Sequence, residues 1–484
     1  MGVLEGLKPE RVFYYFEQIC GIPHGSGNIG QISDYLVSFA KEHGLRYLQD
    51  EMKNVLICKE AAPGYENSAP VILQGHMDMV CEKRADVEHD FTKDGLKLHV
   101  EDGCVRAEGT TLGGDDGIAV AYALALLEDK SLPAPALECL FTVDEEIGLL
   151  GADGFDCSVL QGKTLINMDS EAEGILTVSC AGGMGAYTRL PVKREMVGGT
   201  LVEVRLHGLR GGHSGAEIHK NRGNANVLMG RFLYDLSQET GFALVTLHGG
   251  EKDNAITREC TCTFMVRDEK DAKTAEDLCR KLTEDLRKEY ANIDDGITFT
   301  CSVVSAAAEE NALVPTSQEK VIFYLMNVPF GVRKMSGTIE GLVETSSNIG
   351  ILKLGEKELL AVSSVRSSVG TAKEALSSTL RYLTEFLGGT YTVEGSYPAW
   401  EYRKESPLRD LMVRVFREQY GHEQRVEAIH AGLECGLFYD KIPGLDSVSI
   451  GPDMKNIHTS EETLDIASAE RVYTYVRKVL EQMR

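Results

Sequence analysis

Four short apolar runs constrain this chain most. Val55-Leu56-Ile57-Cys58, Val71-Ile72-Leu73-Gln74, residues 137–143 and residues 164–168 are too short for buried helices. They also lack the alternation of half-exposed strands, so they read as strands covered on both faces. Between the second and third runs, residues 117–127 form an apolar stretch of helical length. Strands alternating with helices predict an α/β layer architecture with a largely parallel sheet. Residues 8–16 and 31–43 carry helical periodicity, with Pro9 at a helix start and Gly44 just past an end.

The texture changes after Cys180-Ala181-Gly182-Gly183. Residues 201–206, 260–266 and 359–365 alternate apolar and polar, as antiparallel strands with one wet face do. Helical stretches at 224–238, 272–290 and 371–387 lie among them, so this part reads as an α+β module. It has room for two strand–helix–strand rounds, although no residue-level repeat is visible. From Tyr397 the α/β pattern returns, with helices at 407–420 and 467–483 and a strand at 446–450. The division expected is 1–182 and 397–484 as one discontinuous domain, with 183–396 inserted.

The 484 residues carry 50 Lys+Arg against 74 Asp+Glu, a net charge of −24. A surface that acidic repels nucleic acid and anionic membranes, so neither is an expected partner. The N-terminus has no basic start followed by an apolar core, so no signal peptide is expected. No apolar run reaches the roughly 18 residues of a membrane span. The 12 cysteines include no C-x-x-C pair and read as free thiols in a reducing cytoplasm.

Side chains able to hold metal follow the strands. Gly75-His76-Met77-Asp78 ends the second run; alone, a lone His-x-Asp is more often a structural histidine with a carboxylate partner. Gly113-Gly114-Asp115-Asp116-Gly117 precedes the apolar helix and also fits an ordinary N-cap. Asp144-Glu145-Glu146 puts three acids directly after a strand, where they repel one another unless a cation sits among them. A carboxylate beside a metal ligand is free to move a proton. Asp169 follows the fourth run, and His458 follows a later strand and the Gly451-Pro452 turn. Side chains at the carboxyl edge of such a sheet converge on one crevice. Two imidazoles and three carboxylates make a mixed N/O set suited to zinc, and five ligands suit two ions sharing one carboxylate.

At these residues the chain resembles the aminoacyl-histidine (Xaa-His) dipeptidases, which hydrolyse β-alanyl-histidine. These belong to the co-catalytic zinc clan that includes carboxypeptidase G, succinyl-diaminopimelate desuccinylase and aminoacylase. The resemblance runs through Gly75-His76-Met77-Asp78-Met79-Val80, Asp144-Glu145-Glu146-Ile147-Gly148 and Asp169-Ser170-Glu171. It continues through Gly211-Gly212-His213-Ser214-Gly215-Ala216-Glu217-Ile218-His219, Asn224-Ala225-Asn226, Asp253-Asn254-Ala255-Ile256 and Val343-Glu344-Thr345-Ser346. It closes with His430-Ala431-Gly432-Leu433-Glu434-Cys435-Gly436-Leu437 and Ser449-Ile450-Gly451-Pro452.

The resemblance implies a mixed sheet flanked by helices as the catalytic domain, with the α+β insertion as a lid. It implies two Zn2+ (Co2+ or Mn2+ as substitutes): His76 and Asp169 on one, Glu146 and His458 on the other, Asp115 bridging. It makes Glu145 the general base, Asp78 the group orienting His76, and His213 the oxyanion donor. Asn254, Arg366, His219 and Gly432 become candidates for binding substrate. Two departures stand out: Asp116, where an Asn is expected beside the bridging Asp, and Ile457, where the family often has Pro. The expected activity is hydrolysis of small unblocked dipeptides, Xaa-His and β-Ala-His among them. The alternative is a zinc amidohydrolase or carboxypeptidase acting on N-acyl amino acids or longer peptides. A catalytically silent scaffold would lack ligands, and none is lacking. Relatives with a short lid dimerise so that a partner's lid reaches each site. This longer insertion leaves a homodimer and a monomer with a self-complementing lid both open.

Overall fold

From Ile118 to Leu127 the helix Gly114–Glu128 is apolar on every side, and these residues are all buried. A helix with no polar face must be covered all round, and this one packs on the helix Glu10–Cys20 and the strand Val71–His76. The structure is a computed structural model and describes residues 2–484. The described chain forms two compact units. The first comprises residues up to Cys180 with Tyr402–Ala428 and Leu433–Arg484; the second comprises Ala181–Glu401 with Ile429–Gly432.

The first unit is built on an eight-stranded sheet. Its order is Arg46–Gln49, Val55–Lys59, Leu137–Thr142, Val71–His76, Thr164–Asn167, Asp446–Ser449, Ile175–Cys180 and Arg425–Ile429. The expected largely parallel sheet is mixed instead. Only the strands from Leu137–Thr142 to Asp446–Ser449 run parallel to one another. Antiparallel strands flank them. All four expected runs are strands with buried faces. Because the central strands are parallel, their carboxyl ends share one edge, where His76, Asp144–Glu146 and Asp169 emerge. A four-stranded sheet orders Met454–Lys455, Thr463–Asp465, Cys104–Ala107 and Leu98–Glu101, and so frames the loop carrying His458.

The first expected helix runs Glu10–Cys20, because Pro9, which has no N–H to give, stands at its N-cap. The second ends at Gly44, whose φ of 65° supplies the left-handed cap.

The second unit is one nine-stranded sheet covered by helices. Its order is Thr298–Leu313, Arg194–His207, Cys260–Val266, Phe242–Gly249, Val343–Leu354, Glu358–Ser367, Gly182–Pro191 and Thr390–Tyr397, with Gly331–Met335 beside Val343–Leu354. The two halves of this order have one topology. In the first, Arg194–His207 leads through the helix Ala225–Glu239 to Phe242–Gly249, then Cys260–Val266, the helix Glu269–Glu289 and Thr298–Leu313. In the second, Gly182–Pro191, Pro315–Asn327, Val343–Leu354, Glu358–Ser367, Gly370–Phe386 and Thr390–Tyr397 repeat that course. In both, the fourth strand borders the first, the first borders the third, and the third borders the second. The two second strands join the halves antiparallel, pairing His248 with Lys353 and Gly249 with Leu352. The insertion is thus a duplication of topology, with the first half nested inside the second.

Buried amides stitch that joint. Asn224 caps the helix Ala225–Glu239 by accepting from Asn226 N and Val227 N. Its Nδ2 donates to Asn348 Oδ1 at 3.1 Å and Ile349 O at 2.9 Å. Asn348 Nδ2 in turn donates to Asp253 O and Ala255 O. No helix among the described residues is long and apolar enough to cross a membrane. None of the 12 cysteines is in a disulfide bond.

Candidate metal centre

His76 ends its strand fully buried. Its Nε2 lies 3.1 Å from Asp115 Oδ1 and 3.7 Å from Asp169 Oδ1. Its Nδ1 lies 3.0 Å from the backbone oxygen of Asp78 and 3.5 Å from that residue's carboxylate. Across the cluster, His458 Nε2 lies 3.1 Å from Asp115 Oδ2 and 2.8 Å from Glu146 Oε1. Asp115 therefore offers one oxygen to each imidazole. Three overlapping groups have ligand atoms within 4.8 Å of one another: His76–Asp116–Asp169, His76–Glu145–Glu146, and Asp115–Glu146–His458.

Burial and like charge strain this cluster. Burial works against a charged His76, yet hydrogen bonds to Asp115, Asp169 and Asp78 together hold it well above the ordinary histidine range. Hydrogen bonds to Asp115 and Glu146 lift His458 to about 10. Burial pushes Asp169 up to about 8 and Glu145 well above the usual carboxylate range. Burial raises Asp116 as well, with Asp169 adding to it. Carboxylates crowded this far from water call for positive charge among them, and divalent cations with mixed N/O ligation meet that need.

The supports are less visible in sequence. The Asp78 carboxylate accepts from Ser26 Oγ at 2.7 Å and from the Glu145 amide at 3.0 Å, so it braces the acidic loop as well as His76. Gly27 N donates to Asp144 Oδ1 at 2.7 Å. Asp116 Oδ2 accepts from His76 N at 3.2 Å. Below the ligands, Gln74 donates to Glu434 at 2.5 Å, Thr142 Oγ1 donates to Glu434 at 2.7 Å, and Asn167 donates to Gln74 at 2.7 Å. Burial raises Glu434 to about 7. Nothing in the sequence alone gives a role to Ser26, Gln74, Asn167 or Glu434. Gln74 and Asn167 were hinted at only as polar residues inside otherwise apolar strands, and Glu434 only by its place in the string 430–437.

His213 and Arg366, with Gly432, lie in the second unit. His213 Nδ1 accepts from Gly215 N at 3.2 Å and Ala216 N at 3.0 Å. In the neutral ring the proton is therefore on Nε2, which leaves that nitrogen as the donor. Burial, then Arg366, lowers the pKa of His213, which favours the neutral ring. Arg366 is 8% exposed and donates from Nη1 to Tyr397 Oη at 2.9 Å. Its Nε is buried without a partner. A Cβ at Gly215 would stand 2.5 Å from the backbone oxygen of His430, 3.0 Å from His213 Cε1 and 3.2 Å from Arg366 Nε, so a side chain there would push into this cluster. A Cβ at Gly432 would meet the Tyr397 ring at 2.8 Å. Asn254 is exposed, with its backbone oxygen accepting from Ser214 N. His219 is exposed on the short helix Ile218–Lys220.

Fold and site together define a peptidase class. Residues 72–482 match the model of Peptidase family M20/M25/M40, and the chain belongs to that family. It is a hydrolase of peptide bonds. The chain is 37% identical over 485 residues to the cytosol non-specific dipeptidase of Escherichia coli (strain K12), covering 100% of this chain and 99% of that one. The crystal structure of aminoacylhistidine dipeptidase from Vibrio alginolyticus superposes with a TM-score of 0.92 at 35% identity, over 99% of this chain and 98% of that one. Aminopeptidase PepT from Bacillus cereus shares the fold at a TM-score of 0.56 and 14% identity, over 99% of each chain.

Proposed function

We propose that this chain is a cytoplasmic two-zinc dipeptidase that hydrolyses small unblocked dipeptides, Xaa-His and β-Ala-His among them. One observation carries the proposal: the two oxygens of Asp115 each lie 3.1 Å from a different imidazole. A carboxylate so shared suits a bridge between two cations. His76 and Asp169 would hold one, Glu146 and His458 the other. Bound there, the ions would supply Lewis acidity for the scissile carbonyl and ease the deprotonation of water.

The chain's own residues do the rest. Asp78 fixes the ring of His76 and, through its hydrogen bond from the Glu145 amide, the base. Glu145 takes the proton of the attacking water and passes it to the leaving amine. His213 donates from Nε2 to the oxyanion as it forms. Arg366, buried and with its Nε left without a hydrogen-bond partner, clamps the substrate carboxylate. Asn254, His219 and Gly432 complete the substrate contacts. In this scheme residues 183–396 act as the lid, with 1–182 and 397–484 as the catalytic domain. His213 comes from one topological half of the insertion and Arg366 from the other, which favours a monomer whose lid completes itself over a homodimer.

The names of the full-length relatives support a dipeptidase over an amidohydrolase. Comparing hydrolysis of β-Ala-His, Gly-His, a tripeptide and N-acetyl amino acids tests this. The dipeptides should be cleaved and the blocked amino acids left intact. Preference for the N-acetyl compounds would overturn the proposal.

A further inference from the structure

Glu462 has no part in the chemistry above, yet its carboxylate is 3% exposed and saturated with backbone donors. Oε2 accepts from Leu112 N at 2.7 Å and Gly113 N at 3.2 Å; Oε1 accepts from Gly114 N at 2.9 Å and Asp115 N at 3.4 Å. Successive amides converging on one anion form a nest, and Gly113, at φ 67°, supplies the left-handed residue that such a turn requires. A Cβ at Gly114 would stand 3.2 Å from Glu462 Oε1, so the turn is fitted closely around the carboxylate. The last donor in the row is the amide of Asp115 itself.

The other end of Glu462 belongs to the loop of His458. Its amide donates to Thr459 O at 3.2 Å, and Thr459 Oγ1 donates to Asn456 O at 2.7 Å. The next residue opens the strand Thr463–Asp465, which pairs with Met454–Lys455 on one side and Cys104–Ala107 on the other. His458 stands at φ 62°, a left-handed conformation that non-glycine residues hold only where the surroundings enforce it.

We propose that Glu462 is a positioning residue that locks together the turn presenting Asp115 and the loop presenting His458. These two loops lie some 340 residues apart in sequence, and their side chains meet at 3.1 Å. The inference rests on the assignment of Asp115 and His458 as cation ligands. A carboxylate is required because every group it meets is a donor. A glutamine would turn its own NH2 against two of the amides.

The test is zinc affinity of the apo full-length chain, measured by competition with a chromophoric chelator, together with the visible spectrum of the Co2+ form. Glu462→Gln should bind zinc about 10- to 100-fold more weakly, the range for losing a partner that orients ligands, and should change the Co2+ bands. Glu462→Asp, which keeps the charge on a shorter arm, should fall between. Glu461→Gln, at the exposed neighbour, should match wild type. A folded Glu462→Gln with wild-type affinity and spectrum overturns the proposal. So does failure of both Glu462 variants to fold, since that makes the residue a determinant of global stability. Wild-type protein binding fewer than two zinc ions would instead sink the metal assignment itself.

Discussion

In the proposed reaction Glu145 moves the proton while His213 only donates a hydrogen bond to the oxyanion, so their variants should fail differently. Glu145→Gln keeps the shape and the neighbouring ligands but cannot take a proton. It should retain its metal and lose about 10²- to 10⁴-fold in kcat; near-normal turnover would end the general-base assignment. His213→Ala should lower kcat about 10²- to 10³-fold with little change in KM, as loss of an oxyanion donor does. A separate titration concerns stability. Burial opposes a charged Glu173, but hydrogen bonds from Arg471, Tyr420 and Ser468 outweigh it and hold its pKa below the usual carboxylate value. Its stabilising effect is therefore complete above the unfolded value of about 4.3 and fades as pH falls through the lower folded one. The gap in melting temperature between wild type and Glu173→Gln should be widest near neutrality and shrink towards pH 3. A gap that widens on acidification would contradict this. Candidate ligands were legible because each follows a buried strand or a glycine turn. Ser26, Gln74, Glu434 and Glu462 were not, since a lone polar residue has no spacing to mark it and its partners lie far along the chain.

Elements declared themselves where one rule governed them. The buried strands and the apolar stretch 117–127 of the helix Gly114–Glu128 followed from hydrophobic runs alone. Leu124, fully buried on that helix, should cost about 2–5 kcal/mol when changed to Ala, read by denaturant unfolding. Other strands were hidden. Gly182–Pro191 opens on glycines and places Thr188 among its buried positions, which blurs its apolar–polar alternation, and Thr298–Leu313 is largely exposed through its middle. The strings Asn224-Ala225-Asn226 and Asp253-Asn254-Ala255-Ile256 carried the family resemblance without a visible reason. They contribute the cap and the carbonyls of the buried amide joint. Asn348→Ala removes a side chain that donates to two backbone carbonyls and should destabilise the chain by about 1–3 kcal/mol. A loss below about 0.5 kcal/mol would show that the joint does not depend on it.

At the scale of the whole molecule, the duplicated topology of the insertion was anticipated only as available length. The two halves keep the same strand order without a visible residue-level repeat, as is possible because topology depends on pattern more than on identity. A chain that carries both halves should need no partner, so specific activity should stay constant on dilution well below any dimerisation constant. A fall on dilution would mean that a second chain completes the site. The central claim is a pair of cations bridged by Asp115. The most direct test is elemental analysis of the purified chain joined to β-Ala-His hydrolysis before and after chelation. Two zinc ions per chain, with activity lost on chelation and restored by zinc, is the predicted result. Hydrolysis undiminished in metal-free protein would contradict it.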